Sequence, residues 1–373
     1  MPKYDLTYAT VDSLAEGVGS SQIAPLMEKL ASHEMKIKLL TLEKENPPNS
    51  LVERMMKAGV EWTQSPFGNN GPFGGVYRTM RLAKLIPDSE ITHARSDFPA
   101  VAARFSGQNR ILWDVRSLWA DQRKFIEVSR LKRGVLSIYT PFENLACNSA
   151  VAVSTLTKAV VPILEARHKN LPNLRTVVPT AVDLDRFRFS PKMPPSLTGL
   201  YSGTYNKYYD LELSRRFIEA LQRVVPSEVH WAKPKESNAS SLNAGESSIF
   251  SATQPEMANL ISEYSFGISI CKEDAGLSLK AAMPTKIAEF LATGRPVVVN
   301  AGLGDCDELF ARSKTGVVIG RNDDLDQKAL ELYELCQDPE TPGRCRSLAE
   351  EHFSLDQGVK NYLEIYKKML EIK

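Results

Sequence analysis

Short β-branched runs alternate with longer amphipathic stretches along the whole chain, the pattern of repeated βα units and of a parallel sheet. In the first half the apolar runs predict strands near Asp5–Ala9, Lys36–Leu42, Ile91–Ala94, Ile111–Val115, Val151–Ser154 and Thr176–Pro179. Helical spacing lies between them, as at Ser21–Ser32 and Val101–Phe105. Ser20 or Ser21 is placed to cap the first of these, because a serine oxygen accepts from an orphan amide of the first turn. The second half repeats the theme, with strands near Gly199–Ser202, Glu228–Trp231, Phe266–Ile270, Val297–Val299 and Gly316–Ile319. Helices are predicted near Leu211–Val224, Pro255–Tyr264, Pro284–Thr293 and Asp326–Cys336. Pro284 stands where a first helical residue would, and Gly294 where a C-terminal cap would.

The segment Pro179–Pro195 is proline-rich and non-periodic, as a domain connector would be. The chain closes on an amphipathic helix over about Asp356–Ile372, with Val359, Tyr362, Leu363, Ile365, Tyr366 and Leu370 available for one face. The fold class is therefore α/β, two Rossmann-like domains. Open parallel sheets bind ligands outside the carboxyl ends of their strands, so both domains are expected to send their loops into a shared cleft.

Composition agrees with two domains: 373 residues, 43% apolar and 24% charged. No apolar run approaches the roughly 20 residues of a bilayer span. The opening MPKYDLTYAT lacks the basic and apolar regions of a signal peptide. Five scattered cysteines, none spaced CxxC, fit small apolar core residues in a reducing, cytoplasmic compartment. A net charge of +1 argues against a dedicated nucleic-acid binder. The balance is uneven, since residues 1–190 carry 25 basic and 19 acidic side chains, and the remainder 21 and 26. A mildly basic first half suits an anionic acceptor or a lipid surface, although ordinary surface variation produces the same imbalance.

Three segments carry candidate chemistry. Glu16-Gly17-Val18-Gly19-Ser20-Ser21-Gln22 joins the first strand to the first helix, where two glycines allow close backbone approach. Gln22 breaks the GxGxxG dinucleotide fingerprint, which disfavours NAD, and a plain tight turn is the alternative. In Ile91–Ser96, His93 and Arg95 lie two apart and share a strand face. Asp114 and Arg116 do likewise, and a structural ion pair between them is the simpler reading. The third segment runs from Gly276 to Phe290. Lys286 falls in the first turn of the helix beginning at Pro284, where a cation opposes the helix dipole unless an anion such as a diphosphate lies between them. Glu289 follows three residues later on the same side, placed to accept both hydroxyls of a ribose, with a solvated Lys–Glu pair as the alternative.

The stretch PTKIAEFLATGRPVVV resembles the nucleotide-binding motif of retaining glycosyltransferases of family 4, within the GT-B fold. HARSDFPAVAA, WDVRSLWADQRK and VPTAVDLDRF resemble further family elements in the expected order, so the likeness spans nearly the whole chain. It implies an acceptor-binding domain over 1–190, a donor-binding domain over 191–353, and a closing segment 354–373 that packs back onto the first. It implies that Glu289 grips the donor ribose, that Lys286 faces the diphosphate, and that Gly19 lies near the donor phosphates. The implied donor set is Gly19, Ser20, Gly203, Thr204, Ser278, Thr285, Lys286 and Glu289. The implied catalytic set is His93, Arg95, Lys207 and Lys286, with Asp114 and Arg116 on the acceptor side and no metal ligand.

Three positions depart from the family pattern. Ala281 stands where many members carry a glutamate that touches the donor sugar. Gly203-Thr204-Tyr205-Asn206-Lys207 lacks the arginine of the usual diphosphate pair. Arg95 replaces the second histidine of an HxH. The expected reaction is metal-independent transfer of a sugar from a nucleotide-diphosphate sugar to a hydroxyl acceptor with retention, no cofactor being needed. Frequency in the family favours UDP over GDP. A non-catalytic sugar- or nucleotide-binding protein and a nucleotide-sugar epimerase are the alternatives. The stretch Arg123–Arg133, with Arg123, Lys124, Arg130, Lys132 and Arg133 beside Phe125, Ile126 and Leu131, is either a solvated helix or a peripheral contact with anionic lipid.

Overall fold

In the first sheet β1 (Tyr4–Ala9), β2 (Ile37–Glu43), β3 (Val60–Pro66), β4 (Ser89–Arg95), β5 (Ile111–Val115), β6 (Ala152–Thr155) and β7 (Leu174–Val177) lie in the order β3-β2-β1-β4-β5-β6-β7, all parallel. The second sheet holds β8 (Thr198–Ser202), β9 (Glu228–Lys233), β10 (Ile249–Ser251), β11 (Phe266–Ser269), β12 (Val297–Asn300) and β13 (Gly316–Ile319), ordered β10-β9-β8-β11-β12-β13 and again parallel. This computed structural model describes residues 2–68, 71, 73–127, 136–203, 207–233, 249–251 and 254–372. The chain divides into two units, Met1–Pro179 with Gly358–Lys373, and Thr180–Gln357.

Central strands are covered on both faces, which is why they read as continuous apolar runs rather than alternating ones; β5, β11 and β12 are buried at every residue. In the second unit Tyr201, Phe217, Trp231, Phe266, Ile268 and Val298 belong to one core cluster. The helix Leu211–Val224 contributes Leu213, Phe217, Ala220 and Leu221 to it, the spacing of one helical face. Its N-terminus is capped by Asp210, whose carboxylate accepts from the Leu213 amide. The five cysteines are buried free thiols.

Several local expectations need correction. The first helical segment starts earlier than its serines, as a wide turn over Gly19–Ile23 with no side-chain cap at Val18. Ser20 and Ser21 instead donate back to the Gly17 carbonyl, at 3.1 and 2.8 Å. Pro284 precedes the helix Thr285–Ala292, its ψ of 135° being extended. On the last helix, Leu355–Leu370, Met369 is buried and Leu370 is exposed, so the apolar face sits one residue off at its end. The proline-rich connector is pinned to the second unit: the fully buried Arg295 guanidinium donates to the carbonyls of Ser190, Lys192 and Ser262 and to the Ser190 hydroxyl. The pattern of apolar positions also left unread β3, β10 and the helices Asn49–Lys57, Gly74–Leu85, Trp119–Ile126 and Thr140–Ser149.

Candidate active site

Within the second unit the strand order reverses between β8 and β11, and crevices outside the carboxyl ends of strands at such a point are where open α/β sheets bind ligands. Gly203 follows β8 with φ +120°, a backbone conformation that suits glycine. A Cβ there would lie 2.9 Å from the Lys286 Nζ, so this glycine leaves room for the lysine head. Lys286 enters from the first turn of the helix Thr285–Ala292 and is buried at 6% exposure. Its Nζ has no hydrogen-bond partner among the described residues. Two ring faces lie close to it, with centroids 4.2 Å away for Tyr209 and 5.3 Å for Tyr201.

An ammonium withdrawn from water without an acceptor is costly, so burial pushes Lys286 down to about 8, with Cys271 and Glu289 opposing the shift. Glu289, half-buried on the same helix, is pushed up to about 7 by burial, against the pull of Arg186 and Lys286. One Nη of Arg186 is itself buried without a hydrogen-bond partner among the described residues. Two cations and one carboxylate thus stand in one unit with hydrogen-bonding capacity unspent, together with the free amides of a helix start. That combination suits an anion carrying hydroxyls.

The other donor-side candidates divide. Thr285 opens the helix and is half-buried. Ser278 is buried and its hydroxyl is used internally, donating to the Ala275 carbonyl at 2.8 Å. Lys207 is exposed, and Ala281 is buried at 1%. Thr204 lies outside the described residues. Sequence reasoning missed Tyr209, Tyr201 and Arg186. Arg186 lay within the VPTAVDLDRF motif and Tyr209 two positions past Lys207, but ring faces around a cation carry no sequence signature.

In the first unit the strand register brings His93 opposite Tyr8 and Arg95 opposite Asp114, with Ser154 next in line. The face sharing expected of His93 with Arg95, and of Asp114 with Arg116, therefore merges into one polar network. Asp114 is fully buried and accepts from the Ser154 hydroxyl at 2.8 Å and from Arg116 and the Tyr362 hydroxyl at 3.4 Å. Its other oxygen lies 3.2 Å from the His93 Nε2 and 3.8 Å from the Arg95 guanidinium. His93, equally buried, pairs through Nδ1 with the Tyr366 hydroxyl at 2.6 Å. Burial lowers the His93 pKa and favours neutral imidazole. Asp114 is held far below the ordinary carboxylate range despite its burial, chiefly by Arg116 and His93. Arg95 is 7% exposed, and its Nε donates at 2.9 Å to Asp12, whose side chain is 42% exposed. Directly after it Ser96 takes φ +75°, ψ −177°, a region nearly reserved for glycine. Arg116 completes the frame with bonds to the Val178 carbonyl and the Tyr362 hydroxyl, both at 3.2 Å.

Gly19 is buried, and a Cβ on it would meet the Ser13 carbonyl at 1.9 Å. The close approach this glycine permits is to the chain's own backbone, with Ser20 bonded back to Gly17 beside it.

No family model and no curated protein matches the sequence. Solved structures do. A glycosyltransferase from Rickettsia africae superposes with a TM-score of 0.71 at 16% identity, over 100% of both chains. HepE of Anabaena, solved in complex with UDP, gives 0.66 at 11% identity over 98% of this chain and 100% of its own. WaaG, a glycosyltransferase involved in lipopolysaccharide biosynthesis, gives 0.64 at 13% over 95% and 98%. The fold is GT-B.

On this GT-B chain the basic stretch 123–133 is described only in part, and 128–133 fall outside the described residues. Arg123 is exposed over the Trp119 ring at 5.8 Å, and Lys124 donates to the Thr140 hydroxyl. No described helix is long and apolar enough to cross a membrane. Contrary to the expectation that the sequence holds no Asp-x-Asp triplet, three are present, and they serve local structure. Asp183 accepts from the amides of Asp185 and Arg186, Asp307 from Gly302, and Asp324 caps the helix Leu325–Gln337.

Proposed function

We propose that this chain is a retaining glycosyltransferase that moves a sugar from a nucleotide-diphosphate sugar to a hydroxyl acceptor without a metal ion. The observation that carries the reading is Lys286: a buried ammonium with no hydrogen-bond partner among the described residues, at the head of a helix. The solved structures of the same fold support it, several being glycosyltransferases and one holding UDP.

In this reading the second unit takes the donor. The Glu289 carboxylate accepts from the ribose hydroxyls. Lys286, Lys207 and the amides of Thr285 and Lys286 face the diphosphate, with Gly203 giving it clearance. The bond between the anomeric carbon and the diphosphate oxygen breaks as the acceptor oxygen attacks from the same face. The acceptor proton passes to the departing diphosphate. Charge grows on that leaving group, and stabilising it is the main catalytic task. The first unit takes the acceptor. Arg95 is the cation offered there to an anionic group, held by Asp12 and Asp114, with His93 and Arg116 packed about Asp114. UDP is the preferred nucleotide.

A second reading, a GT-B protein that binds a nucleotide sugar without turning it over, draws on the buried Ala281 where an acidic contact to the donor sugar is usual. A panel of UDP-, GDP-, ADP-, TDP- and CDP-sugars separates the two, incubated in EDTA with wild type and Glu289→Ala while released nucleoside diphosphate is measured. Release with one donor, lost in the variant, supports transfer. Tight binding without release from any donor favours the second reading. No binding and no release removes both.

A further inference from the structure

The Lys286 side chain is enclosed by aromatic faces where hydrogen-bond acceptors would be expected. Tyr209 lies 4.2 Å and Tyr201 5.3 Å from its Nζ, both inside the roughly 6 Å over which a ring quadrupole attracts a cation. Tyr201 is stacked on Trp231 with centroids 4.5 Å apart and planes at 22°. Tyr209 bridges to Cys271 beyond the end of β11, and bonds on both sides fix its backbone: the Asp210 amide to the Ile270 carbonyl at 3.0 Å, and the Lys272 amide to the Tyr208 carbonyl at 2.9 Å. The two rings also meet edge to face, 6.5 Å apart.

We propose that Tyr209 is a positioning residue, its ring face holding the Lys286 ammonium over Gly203, protonated and aimed, while the site is empty. The physical case rests on what an aromatic face does and does not occupy. A carboxylate at this place would hold the cation more tightly, but it would consume N–H donors and repel the diphosphate that must replace it. A ring face stabilises the positive charge and leaves all three N–H groups for phosphate oxygens. Burial pushes Lys286 down to about 8, so any loss of cation stabilisation brings its deprotonation into the working range. Only the ligand named here, a diphosphate, depends on the proposed function; the effect of Tyr209 on Lys286 does not.

The test is a pH titration of the full chain carrying lysine labelled with ¹³C at Cε, the Lys286 resonance being assigned by its loss in Lys286→Met. Tyr209→Leu is expected to lower the Lys286 midpoint by about one unit, a tenfold loss of proton affinity. Tyr209→Phe, which keeps the ring, is expected to restore it. An unchanged midpoint in Tyr209→Leu, or no restoration in Tyr209→Phe, overturns the inference. Should the leucine variant fail to fold, phenylalanines of increasing fluorination at position 209 decide the matter. A midpoint that falls with each fluorine supports the ring-face attraction, and a flat series refutes it. Calorimetry with UDP at pH 7.5 and 9 then separates this inference from the reading of the site. A ring-dependent midpoint with no UDP binding to wild type removes the donor reading alone. UDP binding with a midpoint indifferent to Tyr209 removes the inference alone.

Discussion

Each unit of this protein buries cations at the carboxyl ends of parallel strands, yet the two treat them in opposite ways. In the first unit Arg95 and Arg116 surround Asp114, one oxygen of which accepts from Arg116, Ser154 and Tyr362, while the other lies 3.2 Å from His93 and 3.8 Å from Arg95 without a hydrogen bond among the described residues. In the second unit Lys286 meets two ring faces and no acceptor among the described residues. A buried charge that is paired and hydrogen-bonded holds a frame together. A buried charge left unpaired lowers stability, and it persists where a ligand completes it. The contrast separates a residue that shapes a site from a residue that fills one.

Breaking either arrangement should move stability in opposite directions. Asp114→Ala leaves Arg116 buried without its carboxylate and Arg95 with Asp12 alone, and is expected to destabilise by about 3–5 kcal/mol in urea unfolding. Lys286→Met should do the reverse. The lysine is pushed down to about 8 in the fold, and a shift of this size corresponds to roughly 3 kcal/mol of lost stability. Because the folded pKa lies below the unfolded one, the unfolded chain holds the proton more strongly. The penalty is therefore full below pH 8 and fades as pH climbs toward the ordinary lysine value. The variant should be more stable than wild type at pH 7, and that advantage should shrink through the window above pH 8. A Lys286→Met protein less stable at pH 7 would make Lys286 part of a frame and end the comparison.

Two smaller effects sharpen it. Gly203→Ala sets a methyl 2.9 Å from the Lys286 Nζ at φ +120°, so the lysine head must shift. Nucleoside-diphosphate affinity should fall about tenfold, read by calorimetry. In the first unit Ser96 holds φ +75° at the strand end that carries Arg95. Ser96→Gly should relieve that strain and raise stability by about 1 kcal/mol in thermal unfolding. A loss of stability would show that the serine side chain contributes more than its backbone costs.

How much of this was readable beforehand follows from where the information lies. The helix Leu211–Val224 falls where its apolar period predicts it, because that period is local, and the Asp210 cap then fixes its start. Lys286 and Glu289 stand out in the sequence because a cation in a first helical turn conflicts with the helix dipole. The helix Gly74–Leu85 was not legible. It opens on two glycines, and Phe73 before it and Tyr77 and Met80 within it are exposed, which blurs the periodicity. Nor was β3, whose residues between Val60 and Ser65 are exposed or only half-buried. The Tyr209 contact depends on a bridge to Cys271 on another strand's extension, a tertiary fact that no local pattern records.

The most direct measurement is calorimetric titration of UDP and of uridine into wild type and Lys286→Met, in EDTA at pH 7. If Lys286 completes a diphosphate site, wild type binds UDP far more tightly than uridine, and the variant loses that difference by about a hundredfold while still folding. A variant that binds UDP as wild type does would contradict the assignment and leave the unpaired lysine without a ligand.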